Sequence, residues 1–146
     1  MLEMDRRKLK IQIREWDNQN WLEEVLHKPT LKWYKEGKLK ILYDYCYSNS
    51  TNSDFLAKAW TNTLHLEEYH ARRNREHDKT CKLCYQVDED LEHFLVQCPM
   101  LECKRDQEII NTWLSTDTKK QTVDILFNEK KFYKTGCMIK SMWHHR

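Results

Sequence analysis

Between Cys81 and Cys98 the chain reads CKLCYQVDEDLEHFLVQC, three cysteines and one histidine in the spacing C-x2-C-x8-H-x4-C. No other stretch constrains the fold as strongly, because four metal-binding side chains on so short a segment can draw it into one tight turn. Six cysteines scattered at random over 146 positions would produce the whole pattern roughly once in two hundred trials, so chance is set aside. The opening MLEMDRRKLK has charge but no apolar stretch behind it, unlike a secretory signal. No run approaches the ~20 apolar residues of a membrane span. An intracellular protein is therefore expected, nuclear or cytoplasmic and not secreted. In that reducing setting clustered cysteines hold metal more often than they form disulfides.

The C-x2-C turn brings two thiolates within reach of one ion, and His93 and Cys98 can complete a tetrahedron. Cys81, Cys84, His93 and Cys98 are thus expected to hold one Zn2+. Four protein ligands leave no open position for water, which marks a structural site rather than a catalytic one. Asp88, Glu89 and Asp90 supply a helix N-cap and a negative first turn, so DLEHFLVQ reads as a short helix. Leu91, Phe94 and Leu95 share one face of it, while His93 points the other way, toward the cysteine turn. Five residues of continuous helix would separate His93 and Cys98 by about 7.5 Å along the axis. Pro99 disfavours the α conformation at Cys98, so the helix should stop there and let the thiolate swing back. Pro99 then opens a second helix, PMLECKRDQEIINTWL, with Leu101, Ile109, Thr112 and Trp113 inward and Cys103 outside the ligand set.

Elsewhere the pattern is helical. Only two glycines and two prolines occur in the whole chain, which argues against a sandwich or barrel. Leu9, Ile13 and Trp16, then Leu22, Val25 and Leu26, fall at helical spacing before Pro29. A short helix and a looser apolar stretch follow, and CYSNSTNS at 46–53 is the clearest loop. Ser53 is expected to cap one long helix, DFLAKAWTNTLHLEEYHARR, with Phe55, Ala59, Thr63 and Leu66 in rhythm. TVDILFN and KKFYKTGCMIKSMW read as two closing helices that align Phe132, Ile139 and Trp143. The expected fold is all-α, a small multi-helix domain with one Cys-Cys-His-Cys zinc knuckle. Residues 1–28 form a helical lead-in and 29–146 the zinc-binding domain.

The stretch TCKLCYQVDEDLEHFLVQCPMLECKRDQEI, residues 80–109, resembles the zinc-binding region C-terminal to the reverse transcriptase of non-LTR retrotransposons. Cys81, Leu83, Cys84, Glu92, His93, Phe94, Leu95, Cys98, Pro99 and Arg105 match that family's pattern in order. KPTLKWYKEGK and FLAKAWTNTLHLEEY resemble segments that precede the finger in some animal elements. Where the family often has Ala-Arg-Thr-Asn, this chain has Ala59-Trp60-Thr61-Asn62 and loses a basic residue. The resemblance implies a non-catalytic module that helps grip template RNA or target DNA, beside the polymerase region of a parent element.

The residues agree with the non-catalytic half of that implication. Polymerase and nuclease chemistry needs clustered carboxylates holding two metal ions. No Asp-Asp pair occurs in the sequence, YDYC at 43–46 is no substitute, and the acids at 88–92 belong to a helix start. Neither an enzyme, a small-molecule substrate nor a membrane partner is expected. Charge is divided unevenly. Residues 69–82 carry Arg72, Arg73, Arg75, Lys79 and Lys82 against Glu76 and Asp78, a net of +3, whereas 85–102 carry five acids and no base. RNA, single-stranded DNA or target DNA should therefore meet the approach to the knuckle. Tyr69, His70 and His77 are there to stack on unpaired bases, and 119–146, with seven bases against two acids, form a second basic region. The alternative is a protein-interaction module in which zinc only staples the fold.

Overall fold

The structure is a computed structural model that describes residues 2–37, 51–111 and 116–146. The 43–46 tetrapeptide, most of the 46–53 loop, Thr112 and Trp113 lie outside them. Among the described residues there are helices and a single isolated bridge, Thr80 to Asp88, but no strand. The elements are α1 (Leu2–His27), α2 (Lys32–Gly37), α3 (Thr51–Trp60), α4 (Glu67–Arg73), α5 (Gln107–Ile110), α6 (Thr118–Phe127) and α7 (Phe132–His145).

The core gathers around two tryptophans. Trp33 from α2 and Trp60 from α3 are each about 1% exposed, among Leu56, Leu66, Leu91, Phe94, Leu126, Ile139 and Met142. Trp60 stacks on Phe127 at 5.9 Å and meets Phe132 edge-on at 5.1 Å. Its Nε1–H donates to the Leu126 carbonyl at 2.7 Å, so the indole is buried with its polar end satisfied. α7 lies along α3, with Gly136 against the backbone of Asn52. A Cβ at Gly136 would come within 2.5 Å of the Asn52 carbonyl oxygen, so this crossing depends on the missing side chain.

Several expected boundaries move, each for a local reason. α3 begins at Thr51, which places Ser53 inside the helix, buried, rather than at its cap. The long helix expected after Ser53 is two helices. Asn62 takes φ +52°, its N–H donates to Ala59 O at 3.1 Å, and the N–H of Thr63 reaches back to Lys58 O at 2.8 Å. That is a Schellman termination with asparagine in the left-handed position, and it ends α3 before α4 starts at Glu67. The helix expected from Pro99 is likewise divided. Pro99–Lys104 form a 3-10 helix, and Asp106 then caps α5 by accepting from the N–H groups of Glu108 and Ile109. Leu101 and Ile109 do point inward.

α1 is the helix that its apolar spacing predicts, but it buries little of that apolar face. Val25 is buried and Trp21 meets Tyr34 edge-on at 6.0 Å. Leu9, Ile13, Trp16, Leu22 and Leu26 are exposed. Twenty-six residues of helix run to about 39 Å, and among its described side chains the buried or half-buried ones lie at residues 18–25.

Candidate metal centre

Residues 78–89 fold back on themselves to build the cysteine turn. Asp78 Oδ1 accepts from both the backbone N–H and the hydroxyl of Thr80, starting the rising arm. The N–H of Cys81 donates to Val87 O at 2.9 Å, and that of Glu89 to Lys79 O at 2.8 Å, which pairs the two arms. Across the tip, the Tyr85 N–H donates to Cys81 O at 2.8 Å. This closes the C-x2-C turn with Cys81 and Cys84 on its inner side.

Asp90 then caps the following helix through its Oδ1, which accepts from the His93 N–H at 2.7 Å. After one ordinary turn the helix widens. Residues His93–Gln97 are a π turn, in which the Cys98 N–H donates to the His93 carbonyl at 2.7 Å. The expected α-helix would have kept His93 and Cys98 apart; the extra residue in the turn brings them to the same side. Cys98 itself is extended, at φ −62° and ψ 117°, the conformation that Pro99 imposes on it.

The structure brings all four expected ligands together. Sγ of Cys81, Cys84 and Cys98 and a ring nitrogen of His93 lie within 4.8 Å of one another. Cys81, His93 and Cys98 are buried and Cys84 is half-buried. Cys103 is exposed and outside the cluster. Burial pushes the Cys81 thiol up to about 11. Burial works the same way on Cys84, but the backbone N–H groups of Gln86 and Val87 and its thiol neighbours outweigh it and hold this thiol low. Burial also lowers the His93 pKa and favours the neutral imidazole, the form that binds metal. Nε2 of His93 stands 3.4 Å from Cys84 Sγ, and its Nδ1 is buried without a hydrogen-bond partner. Three inward thiols and an imidazole whose Nε2 faces them form a donor set that fits zinc. A divalent ion held there supplies the positive charge that keeps three adjacent sulfurs ionised.

Around these four, two arginines fix the geometry. Arg105 donates from Nε to the Leu95 carbonyl and from Nη2 to the Cys98 carbonyl, both at 2.8 Å. It thereby ties down the end of the π turn. Behind Cys81 lies a buried ionic cluster that sequence reasoning missed. Glu89 is 0% exposed and Glu67 2%. Arg146 meets Glu89 with Nε and Nη2 and reaches Glu67 Oε1 with Nη2, each contact at 2.8 Å. Glu89 Oε1 is 3.9 Å from Cys81 Sγ. Glu89 is thus not part of an acidic helix surface, and of the expected cap only Asp90 performs that role. Neither local periodicity nor spacing signals the cluster, because Arg146 lies 57 and 79 positions from its partners.

The five expected nucleic-acid residues fare unequally. Arg72 donates to the Asn62 carbonyl and lies over the Tyr69 ring, and Lys82 reaches Glu67 at 3.0 Å. Arg73 is exposed, with its guanidinium over the Tyr69 ring at 4.7 Å. Arg75 and Lys79 are exposed. Tyr69 already stacks on His65 at 4.6 Å, and His77 is bonded to Glu67.

The body is all-α, and its Cys3His cluster is a candidate zinc site. Residues 15–103 match the family described as zinc-binding in reverse transcriptase, and the chain belongs to that family. The match contains all four clustered donors. No curated protein and no solved structure matches the chain. Among the described residues, no helix is long and apolar enough to cross a membrane.

Proposed function

We propose that this chain is a non-catalytic nucleic-acid-binding module from the C-terminal part of a non-LTR retrotransposon reverse transcriptase, stapled by one structural zinc. The observation that supports it most directly is the closed donor set. Four protein side chains converge on one point, which leaves no position for a substrate or an activated water. Zinc in such a site orders a surface rather than performing chemistry. The surface it orders carries Arg73, Arg75 and Lys79 toward solvent, and RNA or single-stranded DNA is the partner that such a surface takes.

The test is binding of a fluorescent single-stranded RNA at several salt concentrations, with the zinc-loaded chain. Changing Arg73, Arg75 and Lys79 to Gln should weaken binding to all sequences and flatten the salt dependence by roughly 0.7 for each phosphate no longer neutralised. Arg72 and Lys82 are left intact because they hold Asn62 and Glu67. No binding by the parent at low salt would overturn the reading. The protein-interaction alternative has its own observation in the exposed Leu9, Ile13 and Trp16 of α1. It requires partner capture that ignores salt and RNA.

A further inference from the structure

The tip of the cysteine turn presents an aromatic ring to solvent. Tyr85 follows Cys84 directly, is 75% exposed, and takes φ +55°. A left-handed backbone is disfavoured for any residue with a Cβ, and glycine would take it without steric cost. The exposed ring contributes little to the core, so packing does not explain a tyrosine at a position shaped for glycine. Strain of this kind is kept where a side chain has work to do outside the fold. Nor does the ring stand on a loose loop. Cys84 Sγ meets His93 Nε2 at 3.4 Å on one side of the tip, and the Cys81–Val87 and Lys79–Glu89 pairings hold its two arms. A ring on so rigid a mount loses little freedom when a ligand covers it.

We propose that Tyr85 is a stacking post for an unpaired base of single-stranded nucleic acid, an assignment that rests on the nucleic-acid reading above. The chemistry around it suits that ligand. Lys82 shares the turn, with its side chain still largely exposed beside its contact to Glu67, and the exposed Lys79 and Arg75 precede the turn in the chain. Cations beside an open aromatic face are what a single strand needs, the cations for phosphates and the ring for a base. The three rings that the sequence alone offered for stacking are otherwise engaged: Tyr69 lies against His65 and Arg73, His70 meets Tyr69 at 5.5 Å and His77 at 5.4 Å, and His77 is bonded to Glu67. Val87, 50% exposed, is two residues further on along the returning arm.

The experiment uses the zinc-loaded full chain, a fluorescent oligouridylate, and an abasic oligonucleotide of equal length. Tyr85→Phe should bind as the parent does. Tyr85→Ala and Tyr85→Gly should weaken oligouridylate binding about 5- to 150-fold with an unchanged salt slope, since stacking releases no counterions. The parent should bind the abasic strand as weakly as Tyr85→Gly binds oligouridylate, and the abasic strand should not distinguish the two proteins. Tyr85→Gly should also melt higher than the parent, because it relieves the backbone, so its weaker binding cannot come from unfolding. Salt-dependent binding by the parent that Tyr85→Gly fully retains would overturn the stacking role and leave the nucleic-acid reading standing. No binding by the parent to either strand at low salt would remove both.

Discussion

The backbone N–H of Cys98 donates to the carbonyl of His93 across five residues, at 2.7 Å, and this one widened turn puts both side chains on the same ion-sized space. A π turn is a poor helix and persists only where something holds it. Here the holder is Arg105, whose guanidinium satisfies the Leu95 and Cys98 carbonyls. Arg105→Gln should destabilise the domain by about 2–3 kcal/mol, since carbonyls are left without a donor. Zinc affinity should fall about ten- to a hundred-fold, as for other groups that orient ligands. Arg105→Lys should not rescue it, because one ammonium cannot span two carbonyls with fixed geometry. Thermal melting and competition with a zinc chelator read the two effects separately.

Metal content is the second prediction. One zinc per chain should be found, and Cys81→Ser, Cys84→Ser, His93→Ala and Cys98→Ser should each lose it or hold it weakly. Cys103→Ser should retain it in full, since that thiol is exposed and outside the cluster. Chelation should disorder residues 77–100 while much of the helical circular dichroism survives. α3, α6 and α7 also pack on one another around Trp60, Leu126 and Ile139, a core that Leu91, Phe94 and Leu95 of the knuckle segment share. In small zinc fingers the metal supplies roughly 10–16 kcal/mol and is needed for any fold at all. Complete loss of helix on chelation would place this chain among them.

The Glu67–Glu89–Arg146 cluster predicts an asymmetric response to mutation. Arg146→Met leaves two buried carboxylates facing each other with less compensation, and should cost about 2–4 kcal/mol, somewhat below a fully buried pair because 17% of the Arg146 side chain stays open to water. Adding Glu89→Gln should recover part of that stability, a coupling that a double-mutant cycle measures. The pH dependence has a definite sign. Burial alone would raise the Glu67 pKa, but hydrogen bonds from His77 and Lys82 and the charges of Lys82 and Arg146 bring it below its usual 4.5. A carboxylate lowered in the folded state stabilises above its unfolded pKa and loses that contribution as pH falls through the folded value. The stability gap between the parent and Glu67→Gln, compared in the same metal state at each pH, should therefore shrink as pH drops below 4.5.

Gly136 offers a test of the α3–α7 crossing. In an exposed helix Gly→Ala gains up to about 1 kcal/mol from propensity. Here the new Cβ would meet the Asn52 carbonyl oxygen at 2.5 Å, and backbone cannot step aside as a flexible side chain can. Overpacking of that kind costs typically about 1–3 kcal/mol. Gly136→Ala should thus lower the melting temperature, and a rise would show that the two helices can separate freely.

The four clustered donors were legible because their spacing is local. A C-x2-C turn, a capped helix start at Asp90 and a proline after Cys98 are each decided within a few residues, and they delivered four donors to one point. The helical character of α6 and α7, and the inward side of Leu101 and Ile109, followed from periodicity for the same reason. The breaks were written less plainly. Asn62 and Asp106 are the residues that end or restart helices, yet each sits within a pattern whose apolar rhythm continues past it. What the tertiary structure alone decided is which charges remain free. Arg146 and Glu67 are 79 positions apart, Arg72 turns to the Asn62 carbonyl, and Lys82 reaches a carboxylate that α4 carries in. A count of charges along the chain treats all of them as surface. Only the packing of α4 and α7 against the knuckle determines that some neutralise buried acids while Arg75 and Lys79 stay exposed and Arg73 lies over the Tyr69 ring. Pairings that span the whole chain arise from where helices dock, and no local spacing encodes that.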